Sequence, residues 1–150
     1  MTARLDYAAA DPGALKAMMG LEGYVRSSGI DHSLLHLIKL RASYFNGCAY
    51  CVDMHTKDAR AAGETEQRLY AVAVWRETPF FTPKERAALA WTDAVTDLAR
   101  TGVPDDVYED VRAQFTEHEL LALTMAVVTI NAWNRIAVSF RIPPGSYQRT

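Results

Sequence analysis

The only two cysteines of the chain, Cys48 and Cys51, sit three residues apart in the stretch NGCAYCVDMHTKDAR, and His55 follows the second by four. On an α-helix each residue advances about 100°, which sets the two sulfurs about 60° apart and His55 about 40° from Cys51. All three then share one face. A thiol attacks only as thiolate, and the unpaired N–H groups of a helix N-terminus lower its pKa from about 8.5 into a range of roughly 3.5–7.5. An imidazole one turn from Cys51 can take its proton, directly or through a water, and return it later. The second thiol can complete a redox cycle: one thiolate attacks an oxidant, its neighbour displaces the product, and an intrahelical disulfide results.

The same side chains suit two other readings. Small buried cysteines beside a satisfied core histidine would be ordinary packing. Two thiolates and an imidazole are also good zinc ligands; a closed site needs a fourth, for which His36 is the candidate, since the sequence has no second Cys-x-x-Cys. Such a protein would be a non-enzymatic oligomeric helical protein with a zinc-binding or structural cysteine pair. Covalent haem is excluded, because Val52 stands where histidine must follow the second cysteine.

The elements that must hold these residues read as helix after helix. Asp11 is an N-cap with Pro12 at the first helical position and Gly29 as a stop. HSLLHLIKLRASYF carries Leu34, Leu35, Ile38, Ala42 and Phe45 at helical spacing until Asn46–Gly47 breaks it, so Cys48 opens the next helix, which runs to about Ala62. ETEQRLYAVAVWRE makes another, closed by Pro79. Thr82 with Glu85, and Thr116 with Glu119, have the capping-box spacing. PDDVYEDVRAQF is a short helix, and a long one runs from roughly Glu117 to Phe140. The expectation is an all-α, single-domain bundle of about seven helices over residues 1–150, without repeats or linkers. The last helix is apolar nearly all round between Leu120 and Ile130, so a neighbouring subunit is expected to cover part of it.

Composition narrows the function. With 49% hydrophobic and 23% charged residues the chain reads as an ordinary globular domain. A formal net charge of −2 gives no positive field to gather nucleic acid or anionic lipid. The N-terminus lacks a signal-peptide core and the longest apolar run is short for a membrane span, so a cytoplasmic protein is expected. In a reducing compartment a pair closing so small a loop is not a passive staple. No Gly-rich phosphate or flavin motif is present, so no cofactor is expected and electrons would come from another dithiol.

LLHLIKLRASYFNGCAYCVDMHTKDARAAGE, Leu34 to Glu64, resembles the core motif of the alkylhydroperoxidase AhpD-like proteins within the carboxymuconolactone decarboxylase family. The likeness continues through RLYAVAVWRETPFFTPKERAALAWTDAVT and LTMAVVTINAWNR and covers most of the chain. It implies an all-α fold that assembles into trimers or hexamers. It also implies a thiol peroxidase that reduces small hydroperoxides to alcohols, recharged by a dithiol protein or a lipoyl-type thiol. By the same resemblance Cys51 is the peroxidatic nucleophile, Cys48 the resolving partner and His55 part of a proton relay. Decarboxylases of this superfamily lack the cysteine pair. The sequence departs from the pattern twice: His36 stands where the family has a glutamate twelve residues before the first cysteine, and Tyr50 replaces a histidine between the cysteines. A histidine at position 36 can relay protons but supplies no fixed negative charge.

Around this core, Asp58 shares the helical face of His55 and is either a solvated acid or an orienting group. Glu64 and Glu85 receive no role. Trp75, Trp91 and Trp133 are expected to pack, and His32 and His118 to lie on the surface. Asn131 and Asn134 on a buried helix need hydrogen-bond partners, in the site or at an interface.

Overall fold

Short stop signals and caps divide the chain into nine α-helices among the described residues, 2–149, of a computed structural model, with no strand between them. They are α1 (Tyr7–Ala10), α2 (Pro12–Ser27), α3 (His32–Phe45), α4 (Ala49–Ala61), α5 (Glu66–Ala71), α6 (Pro83–Thr96), α7 (Leu98–Thr101), α8 (Asp105–Gln114) and α9 (Glu117–Phe140), with a 3₁₀ segment, Val72–Glu77, after α5. The helices beyond the expected seven are α1 and α7, each a single turn of four residues. Both capping boxes form, Thr82 with Glu85 and Thr116 with Glu119. Asp11 accepts from the N–H groups of Gly13 and Ala14 at 2.8 and 3.1 Å.

One expected helix is broken. ETEQRLYAVAVWRE starts as α5, then tightens to 3₁₀, and Val74 leaves helical geometry at φ −122° and ψ 32°. Tertiary demands override local propensity here. The Trp75 indole donates to Asp93 at 3.2 Å, and the Arg86 guanidinium collects the carbonyls of Trp75, Thr78 and Arg76 that a continued helix would have used internally.

The centre of the bundle is α3, buried on two sides. Leu34, Leu35 and Ile38 pack with Ala88 and Trp91 of α6, Val111 of α8, and Leu123, Ala126 and Val127 of α9. Leu37 and Leu40 face the opposite way, onto Ala59 of α4, Leu69 of α5, Val72, Trp75 and Leu89. Complete burial of such a leucine is worth roughly 1.5–3 kcal/mol, so α3 is the rigid post on which the site is built.

Helix α9 has the length and apolarity of a membrane span, with a mean hydropathy of 1.4 over its most apolar window, but half of that window is buried inside the bundle. It is a core helix with one uncovered edge, where Leu121, Val128 and Val138 are 59%, 43% and 48% exposed.

Candidate active site

Asn46, Gly47 and Cys48 turn the chain from α3 into α4. The Cys48 N–H donates to Ser43 O at 2.9 Å and the Gly47 N–H to Tyr44 O at 3.2 Å, the two reversed bonds of a Schellman ending. That ending needs a residue in the left-handed region, and Gly47 takes it at φ 65°. Cys48 is therefore the last residue of one motif and the first of the next. It is the N-cap of α4, its sulfur accepting from the Cys51 N–H at 3.3 Å.

Cys48 and Cys51 are joined by a disulfide, with Cα atoms 5.3 Å apart, inside the ordinary range for such a bond. Both are almost fully covered, 1% and 2% exposed, and pack with Ala137 of α9, Tyr50 and Ile142. The two asparagines left open by the sequence converge on this turn. The Asn46 amide donates to Oδ1 of Asn131 at 3.1 Å and of Asn134 at 2.9 Å, and Asn134 donates in turn to Ser43 Oγ at 3.1 Å. Buried amides so paired avoid a desolvation penalty of about 1–3 kcal/mol each and clamp the turn onto α9.

A cavity of about 350 Å³ opens on one side of the disulfide. Cys51, His55 and His36 belong to its wall, whereas Cys48 lies behind Cys51 and does not. Aromatic and aliphatic side chains, among them Tyr7, Tyr50, Trp133 and Ile136, make up much of the rest. Three of the four residues singled out from the sequence thus meet at one space, and the fourth is bonded to it. His32, expected on the surface, is exposed but stands at the rim. Trp75 and Trp91 are buried in the core, while Trp133 joins the cavity wall with Tyr7 edge-on to it at 6.3 Å.

The electrostatics of the two histidines differ from an open imidazole. His55 is 5% exposed, its Nε2 has no hydrogen-bond partner, and burial, reinforced by Lys39 and His36, pushes its pKa down to about 3. It is neutral throughout the physiological range. Burial also lowers His36, with the nearby Asp58 carboxylate opposing that shift. Asp58 does not orient His55: its Oδ1 accepts from the hydroxyl of Tyr147, 2.8 Å away in the C-terminal segment. Glu64 and Glu85 are structural, both paired with Arg68 at 2.9 and 2.5 Å.

Among the described residues no three His, Cys, Asp or Glu side chains come together as a metal ion would require. Two residues escaped the sequence reading altogether. Lys39 of α3 and Glu22 of α2 form an ion pair on the cavity wall, each side chain only 14% exposed. Their separation of 17 positions leaves no local signal.

The model of the carboxymuconolactone decarboxylase family matches residues 12–94. The uncharacterized protein YdfG of Bacillus subtilis (strain 168) is 42% identical over 139 residues, 93% of this chain and 95% of its own. ATU0492 from Agrobacterium tumefaciens, a protein of unknown function suggested to be an antioxidant defence protein AhpD, has a crystal structure that superposes with a TM-score of 0.95 at 53% identity, covering 97% of this chain and 100% of its own. An uncharacterized peroxidase-related protein with an alkylhydroperoxidase AhpD core, from Ralstonia eutropha JMP134, superposes with a TM-score of 0.81 over 93% of this chain and 74% of its own. At 21% identity that last likeness concerns the fold alone.

Proposed function

We propose a thiol peroxidase activity for this chain, which belongs to the carboxymuconolactone decarboxylase family and has the AhpD-like fold. The observation that carries the reading is the placement of a bonded cysteine pair with one sulfur, that of Cys51, on the wall of a cavity shared with two histidines. In the reduced protein the Cys51 thiolate attacks the terminal oxygen of a hydroperoxide. The O–O bond breaks, its electron pair leaves with the alkoxide, and a proton converts that to the alcohol. Cys51, oxidised by two electrons, is left as sulfenic acid. Cys48 then attacks the Cys51 sulfur, hydroxide leaves as water, and the observed disulfide forms. A dithiol donor, a reduced protein or a lipoyl-type thiol in the cytoplasm, returns two electrons and two protons by exchange.

His55 is neutral and buried, which suits it to pass a proton without holding charge between steps. His36, at the sequence position where the family pattern has a glutamate, stands on the same cavity wall and can take up the proton from there. The uncovered edge of α9 supports assembly into a homo-oligomer.

Hydroperoxide consumption by the reduced protein, with a dithiol regenerating it, tests the reading. Wild type should turn over, and Cys51→Ser should lose activity to the uncatalysed level. Equal rates would remove Cys51 from the chemistry.

A further inference from the structure

A nucleophile on this cavity wall needs a positive charge to hold its thiolate, and the usual source is already committed. The first-turn amide that would serve Cys51, its own N–H, donates to the Cys48 sulfur instead. The first-turn amide of α4 thus serves the Cys48 sulfur. His55 is neutral, and His36 is driven the same way by burial.

The remaining groups facing the cavity can be taken element by element. Helix α2 contributes Glu22 and Arg26, α3 contributes His32 and Lys39, and α4 contributes Asp58. Phenols come from Tyr7, Tyr50 and Tyr147, and α9 presents only Trp133, Ile136 and Ala137. Arg26 is exposed, where water and salt screen it. Asp58 is engaged by Tyr147. Lys39 is left as the largely covered cation of the wall, and Glu22 fixes its position from the helix above.

We propose that Lys39, held in place by Glu22, is the charge partner that keeps reduced Cys51 as a thiolate. The inference rests on Cys51 being the attacking sulfur. Glu22 has two opposed effects in this arrangement: it positions the ammonium and it offsets part of its field. The pair is therefore a tuning device, in which loss of the lysine and loss of the glutamate charge act with opposite sign. A residue that merely packed would not behave so.

The test is the pH dependence of Cys51 alkylation by iodoacetamide in the fully reduced Cys48→Ser background. Lys39→Met should raise the alkylation midpoint by about one pH unit, a tenfold slower reaction at pH values below both midpoints. Lys39→Arg should restore most of the rate, and Glu22→Gln should lower the midpoint. An unchanged midpoint in Lys39→Met, or shifts of Lys39→Met and Glu22→Gln in the same direction, overturns the proposal. Should Lys39→Met fail to fold, Glu22→Gln decides alone, by a fall in midpoint or its absence. Alkylation needs no peroxide, so opposite shifts in a protein that consumes no hydroperoxide would leave the charge pairing standing and remove the peroxidase reading.

Discussion

Asn134 accepts a hydrogen bond from the side-chain amide of Asn46 at 2.9 Å across 88 positions of sequence, joining the longest helix to the turn that delivers Cys48. Asn134 is buried, and Ser43, to which it donates in turn, is buried with it. Asn134→Leu should therefore cost about 1–3 kcal/mol, the penalty for unpaired buried polar groups. Thermal unfolding would show this as a drop of roughly 2–4 °C per kcal/mol for a domain of this size. No change in melting temperature would mean that the turn holds itself.

On the proposed reading Cys48, which does not line the cavity, meets only what Cys51 has already become. Cys48→Ser should consume a single equivalent of hydroperoxide and stop with one oxygen added to the protein, trappable by a sulfenic-acid reagent. Intact-mass measurement checks this. Cys51→Ser should gain no oxygen under the same conditions.

His55 gives the fold an acid-sensitive element. Its folded pKa, about 3, lies below the ordinary 6.5. Between those values the unfolded chain binds a proton that the folded one refuses, so stability is complete above pH 6.5 and is lost as pH falls toward 3. The slope should approach about 1.4 kcal/mol per pH unit in that window. His36, lowered in the same direction, adds to it. Denaturant unfolding from pH 7 to pH 4 should show the decline, and His55→Gln should flatten it.

Two ion pairs make a contrast. Asp93 is gripped by Arg41 and Arg76 and by the Trp75 indole, and the Arg41–Asp93 pair is 12% and 9% exposed. Asp93→Ala leaves Arg41 covered and unpaired, and should cost about 3 kcal/mol or more. Arg60–Glu66 is 59% and 49% exposed, and Glu66→Gln should change stability by less than about 1 kcal/mol. Equal losses in chemical denaturation would contradict the ranking by burial.

The edge of α9 bearing Leu121 and Val128 should be covered by a second copy. Wild type should sediment as a trimer or hexamer, and Leu121→Glu with Val128→Glu should release smaller species. A wild-type monomer at micromolar concentration would refute the assembly.

The parts of the molecule that were legible in the sequence are those set by near neighbours. Thr82 and Glu85, Thr116 and Glu119, Asp11 and Pro12 act within a single turn, and Asn46–Gly47–Cys48 is a helix ending and a helix start written in three adjacent letters. The face shared by Cys48, Cys51 and His55 follows from the same local geometry. Lys39 with Glu22, Tyr147 with Asp58, and Asn46 with Asn134 are contacts between distant segments, which no periodicity or motif announces. The break at Val74 belongs with them, since Arg86 and Asp93 impose it from another helix. His36 shows the limit from the other side. It stands on the wall beside Cys51 and His55, yet its protonation is governed by burial and by Asp58 of the next helix, which the local sequence does not announce.

On the proposed peroxidase reading, Cys51 is the sulfur on the cavity wall, and oxidant and electron donor share it. They must take turns. Such an arrangement predicts ping-pong kinetics, parallel double-reciprocal lines as the two concentrations are varied, and self-inhibition whenever either visitor crowds out the other.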